Sequence, residues 1–194
     1  MIGTCFLFLY WPSFNAALGT TGSAQHRAII NTLLANSTSV ISACLFSRIT
    51  KGGKLDMIIV VNATLAGGAA LGASADLINY PFCSMIVGFV AGSCAALGFS
   101  YVGPFFARHL RIHDSQGIQY IHGWGGIIGG FVSVISCSLA QRNFGDRYDE
   151  YFYSPAADRV RTPREQASYQ LATLGVSLGL AILGGLIGGL VASR

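Results

Sequence analysis

A histidine at position 122 stands in "QYIHGWGGIIGG" (119–130), among glycine, aromatic and isoleucine residues. A neutral imidazole carries one donor and one acceptor. It can therefore hand on a small neutral polar molecule or take a proton from one. Burial in an apolar medium disfavours the imidazolium and favours this neutral form, which suits an anion poorly. An ionisable group inside a membrane segment is a functional candidate by default. The alternative is a histidine near a helix end, bonded to a carbonyl or to headgroup water. His122 lies only about five residues into its apolar run, roughly 8 Å along a helix axis.

Other chemistry-bearing spacings are weaker. "HLRIH" sets His109 and His113 at i, i+4, a metal-binding spacing, but no third ligand is evident and Arg108 and Arg111 would repel a cation. Neither a metal nor a cofactor is expected. Asp76 is the one acid inside an apolar run; it lies near the end of that run, where it can reach water, and a proton-relay role ranks below that reading. Asp56 follows "KGGKL" and suits a helix N-terminus, where the dipole favours negative charge. In "WPSFN" (11–15), Pro12 removes a backbone donor and is expected to kink or unwind its helix. Ser13 and Asn15 can satisfy the freed groups, and Phe14 would project at the break. The alternative is a packing kink with a core aromatic. "NST" (36–38) and "NAT" (62–64) match the glycosylation pattern but fall inside apolar runs, out of reach of that modification. "DRY" (146–148) matches a receptor motif but lies in a polar loop. No phosphate-cradling loop, nucleophile elbow or carboxylate pair is visible, so an enzyme is not expected.

The elements that must hold these residues are membrane helices. The chain is 194 residues long, 52% hydrophobic and only 10% charged, against about a quarter charged in soluble domains, and its mean hydropathy is +0.54. Its 25 glycines fit membrane helices, where glycine permits close backbone approach. The net charge of +4 is scattered, with no basic face for nucleic acid. Five cysteines lie in or beside apolar runs and read as small buried residues rather than a disulfide framework. No Lys or Arg precedes Arg27, so a signal peptide, which needs a basic n-region, is not expected at this start.

Crossing a bilayer takes about 20 mostly apolar residues. Six stretches qualify, at 2–19, 28–47, 57–79, 82–107, 117–140 and 168–191, and none contains Lys, Arg or Glu. Six crossings put both ends on one side. Lysines and arginines then tie at six on each side, while the short connectors favour the side of 48–56 and 108–116 as cytoplasmic, five to one. Small residues recur at four-residue spacing, as in Gly68–Gly72, Gly125–Gly129, Gly126–Gly130, Gly184–Gly188 and Gly185–Gly189, and predict closely packed helices.

Five stretches, in order, resemble the Rh glycoproteins, the Rh branch of the ammonium transporter superfamily. They are "MIGTCFLFLYWPSFNAAL" (1–18), "QHRAIINT" (25–32), "GKLDMIIVVNATLAGG" (53–68), "IVGFVAGSCAALGFSYVGPFF" (86–106) and "HGWGGIIGG" (122–130). The resemblance implies an all-α polytopic membrane helix bundle of about six transmembrane helices: the second inverted repeat of the family fold plus its last helix. On that reading the chain is a single transmembrane domain over 1–194, a fragment lacking the N-terminal half, with an extracellular loop at 141–166. It also implies a multi-pass protein of the plasma membrane, in a homotrimer or a heterotrimer with family members.

The implied function is transport of ammonium as ammonia through an apolar pore, after ammonium gives up a proton, with carbon dioxide a further candidate permeant. By motif, His122 is the second-half member of two stacked pore histidines. Phe14 matches the second-half phenylalanine of the aromatic gate, and Asn15 follows it in the motif. A non-transporting Rh-type scaffold or trimer subunit is the alternative. The chain departs from the pattern at Ile59 and Val61, where many relatives carry His and Gln, and at Trp124, a bulky residue beside the pore histidine.

Overall fold

The computed structural model describes residues 1–19, 21–114, 116–154 and 159–192. Two compact units emerge, Met1–Val132 and Ser133–Arg194. In the first, α1 (Ile2–Ala16) is followed by α2 (Gly22–Thr50), α3 (Met57–Ala63), α4 (Ala66–Leu71), α5 (Pro81–Leu97) and α6 (Gly103–His109). A π-helical turn, Gly98–Val102, joins α5 to α6; a second, Gln119–Gly123, leads into α7 (Trp124–Ser138).

All six apolar stretches are helical at their centres. Among the described residues, four helices are long and apolar enough to cross a membrane: Gly22–Thr50, Pro81–His109, Gln119–Ser138 and Pro163–Ala192. The other two differ from uniform spans. α1 has 15 residues, and the stretch at 57–79 breaks after Ala63 and again after Leu71. Thr64 explains part of the first break, since its hydroxyl donates to the Val60 carbonyl at 2.6 Å, a side-chain bond that competes with the helical ladder. Asp56 caps α3 as expected, its carboxylate accepting from the amides of Ile58 and Ile59.

The centre of the first unit is α2, packed along α5 and against α1, α3 and α4. Its buried residues are alanine, serine, threonine and asparagine rather than large aliphatics. In lipid, helices gain little from burying apolar surface, and association rests on van der Waals contact and interhelical hydrogen bonds. Both are present. The Ala35 backbone lies between Gly67 of α4 and Gly88 of α5, and a β-carbon on either glycine would overlap it. Polar fasteners run alongside. Asn31 Nδ2 donates to the carbonyls of Ala75 and Ile78 at 2.8 and 2.7 Å, Ser39 Oγ to Ala63 O at 2.7 Å, and Thr38 Oγ1 to Met85 O at 2.9 Å.

Close packing at the spaced glycines holds for some pairs and fails for others. Gly68, Gly125 and Gly129 abut other helices, whereas Gly126, Gly184, Gly185, Gly188 and Gly189 face open space. Pro12 also departs from expectation: α1 stays helical on both sides of it. Ser13 Oγ donates to Tyr10 O at 2.6 Å, while Asn15 bonds to other helices instead.

The second unit includes α8 (Ala140–Phe144), α9 (Tyr148–Phe152), a two-residue antiparallel pairing of β1 (Tyr153–Ser154) with β2 (Arg159–Val160), and α10 (Pro163–Ala192). The start of α10 is a capping box. Thr162 Oγ1 accepts from the Glu165 amide at 3.3 Å, and the Glu165 carboxylate accepts from the Thr162 amide at 3.0 Å. Arg159 adds a two-pronged contact to the same carboxylate, at 3.0 and 2.7 Å. The Arg159 guanidinium and the capping bonds hold Glu165 down at about 2. Glu165 precedes the apolar part of the helix. From Leu171 onward nearly every side chain of α10 is exposed, as suits a surface in contact with lipid.

Candidate functional site

The three residues singled out as pore-lining come from distant parts of the chain and meet on one cleft of about 710 Å³ in the first unit. Phe14 and Asn15 come from the last turn of α1, and His122 from the π-turn before α7. Leu7, Leu65 and Ile121 supply much of the apolar wall.

Local chemistry explains how His122 reaches the cleft. Asp114 receives the amides of Ile118 and Gln119 at 3.0 and 2.8 Å, fixing where the helix begins. The next turn is π-helical, and the amide of Trp124 bonds to the carbonyl of Gln119 five residues back. Single π-turns inside helices are frequent at functional sites because they shift side-chain register. Here Tyr120 and Trp124 turn into the protein, while His122 takes the cleft side. Tyr120 is 2% exposed and packs on Phe99 at 5.1 Å and edge-on to Trp124 at 5.5 Å between ring centroids. Gly98, on the facing π-turn, leaves room for both: a β-carbon there would stand 2.6 Å from Tyr120 Cδ1 and 3.2 Å from Trp124 Cζ3.

Trp124, the bulky neighbour in sequence, therefore packs on the core and does not line the cleft. The indole beside His122 belongs to Trp11. Their ring centroids are 5.9 Å apart and their planes differ by 14°. Sequence reasoning missed this residue, although a signal was present: Leu7, Trp11, Phe14 and Asn15 follow i, i+4, i+7, i+8 and so share one face of α1. Asn62, from the "NAT" tripeptide, also lines the cleft.

Asn15 has a clear local role. Its Nδ2 donates to Thr32 Oγ1 and to the Gly68 carbonyl, both at 3.0 Å. It thereby ties the end of α1 to α2 and α4 and fixes the register in which Trp11 and Phe14 face the cleft. Phe14 is 67% exposed. His122 is exposed as well, so this chain does not itself supply the burial expected for the ring. Gly126, one turn beyond His122, has nothing within 4 Å of a built β-carbon and leaves space beside the imidazole. Ile59 is 2% exposed and belongs to the core, away from this cleft.

The two histidines of "HLRIH" are not brought to a common site. His109 stacks on Phe105 at 4.5 Å and faces that residue's carbonyl, while His113 lines a smaller cleft with Asp114 and Tyr120. Asp76 is half-buried, and its backbone carbonyl accepts from Arg27 Nε at 2.5 Å.

The chain is 44% identical over 194 residues to ammonium transporter Rh type C of Canis lupus familiaris, 41% to Rh type C of Xenopus laevis, and 40% over 191 residues to Rh type B of Danio rerio. These alignments cover 97–98% of this chain and 41–42% of the relatives, so the chain spans less than half of their length. The solved structure of Nitrosomonas europaea Rh50, described with the mechanism of conduction by the Rhesus protein family of channels, superposes with a TM-score of 0.78 at 28% identity, over 97% of this chain and 42% of that one. The Ammonium Transporter Family profile matches residues 1–193, and the chain belongs to that family, on its Rh branch.

Proposed function

We propose that this chain forms one wall of a conduction pathway for ammonia, with His122 as the residue that meets the permeant. The observation that carries the reading is the cleft itself, where an ionisable ring, a parallel indole and the gate phenylalanine share an otherwise apolar surface. Carrying ammonium as a bare ion through hydrocarbon costs several kcal/mol or more. Ammonium therefore gives up its proton near the mouth, and ammonia passes along the apolar wall. His122 offers a ring nitrogen to it, Phe14 limits entry, and Asn15 holds both in register. We place the connectors 48–56 and 108–116 in the cytoplasm and 141–166 outside, in a plasma-membrane protein that acts within a trimer.

The decisive measurement is methylammonium uptake by the assembled transporter carrying His122→Ala, at equal surface expression. Lost or altered uptake and discrimination are expected. Unchanged uptake and unchanged discrimination would sink the assignment and favour a non-transporting scaffold of the same family.

A further inference from the structure

Asn36, in the middle of α2, is fully buried, and neither its Nδ2 nor its Oδ1 has a hydrogen-bond partner among the described residues. Leaving a buried amide without partners is costly, and hydrocarbon offers none in compensation. An orphan of this kind calls for a neighbour with the complementary need.

That neighbour is Trp11. Its indole N–H makes no hydrogen bond among the described residues, although an indole donor in an apolar setting ordinarily finds an acceptor. Both groups lie against the bare Cα of Gly68. A β-carbon there would stand 2.8 Å from Asn36 Oδ1, 2.8 Å from Trp11 Nε1 and 2.6 Å from Trp11 Cδ1. The space is too tight for an intervening water, since the Asn36 polar atoms expose no surface to one. A buried acceptor without a donor and an indole donor without a protein acceptor thus both lie against one glycine.

We propose that Asn36 is a positioning residue of the cleft: by a small side-chain adjustment from the unbonded geometry of this structure, its carbonyl takes the indole N–H of Trp11 and fixes the plane of the ring that lies parallel to His122. Gly68 is the third member, because any side chain there would separate the other two. The contact runs from the middle of α2 to the cleft wall and acts on the permeant only through Trp11. Its relevance to conduction rests on the pathway proposed above; the contact itself does not.

The test reads the indole directly. The chain has two tryptophans, so tryptophan labelled at the indole nitrogen gives two cross-peaks in the full chain in lipid nanodiscs, and the peak lost in Trp11→Phe identifies Trp11. In the unsubstituted chain the Trp11 indole proton is expected at a hydrogen-bonded shift and slow to exchange. Asn36→Leu, of similar bulk and equally apolar surroundings, is expected to move the shift and speed exchange about tenfold. Asn36→Asp keeps an acceptor and is expected to retain the slow exchange. An indole proton that already exchanges freely in the unsubstituted chain overturns the proposal, whether or not the variants fold. So does identical exchange in Asn36→Leu, since burial alone would protect both. If the indole responds as expected but Asn36→Leu leaves methylammonium discrimination unchanged in the assembled transporter, the contact stands and the pathway reading fails.

Discussion

At the scale of single residues, two tryptophans that look equivalent in the sequence have opposite roles. Trp124 is two positions from His122 and packs on Tyr120 and Gly98. Trp11 is more than a hundred positions away and lies parallel to the imidazole. Substitutions should separate them. Trp124→Ala empties part of a packed aromatic cluster and is expected to lower stability on the order of 3 kcal/mol, read as a lowered Tm in detergent, with the methylammonium-to-ammonium ratio of surviving protein unchanged. Trp11→Phe keeps a ring beside His122 but removes the indole N–H, and is expected to change that ratio with a smaller loss of Tm than Trp124→Ala. The reverse pattern would take Trp11 out of the pathway. Adjacency in sequence misled here because a π-turn between Gln119 and Gly123 shifts the register by one residue, and composition carries no trace of such a turn.

At the scale of elements, α2 shows what holds this bundle together. Its centre is small and polar, and the helices on either side touch its backbone at Ala35 through Gly67 and Gly88. Gly88→Val would drive two methyl groups into that backbone and is expected to destabilise by at least about 1–3 kcal/mol, seen as a lower Tm or lost expression. Gly185→Ala places a methyl group in open space and should leave Tm unchanged; a comparable loss at both sites would refute the packing account. The start of α10 carries a pH dependence. Glu165 sits at about 2 in the fold against an ordinary value of 4.5. A depressed carboxylate contributes stability that is fully present above its ordinary value and lost as pH falls toward the folded one. Hydrogen-exchange protection of the first α10 turn is therefore expected to fall between pH 4.5 and 2, and to be low and flat in Glu165→Gln. Sequence reasoning missed this cap, although "TPRE" (162–165) carries its spacing, a Thr and a Glu three apart around a proline at the first helical position.

At the scale of the molecule, every Lys, Arg, Asp and Glu except Asp76 lies outside the six apolar runs. Lysine and arginine counts tie across the two sides, so orientation rests on the short connectors and on family membership. Single cysteines introduced at Lys51 and Asp146, both exposed, in a background whose five native cysteines are replaced by serine or alanine, would decide it. With a membrane-impermeant maleimide on intact cells, Asp146→Cys is expected to label at once and Lys51→Cys only after permeabilisation. The opposite result reverses the orientation proposed here.

What the sequence determined by itself is the class of molecule and the residues worth following. Long runs without Lys, Arg or Glu can be stable only as membrane helices, because every backbone polar group must be satisfied within the segment. His122 stood out because an ionisable residue in such a run needs a reason, whereas Phe14 and Asn15 were marked only by the family resemblance. Tertiary structure alone decided which groups meet. The contact between Trp11 and His122, the inward turn of Trp124 and the orphan amide of Asn36 depend on helix register and on distances across the bundle. Periodicity along the chain places a residue on a face of its own helix, but it cannot say which face of another helix lies opposite.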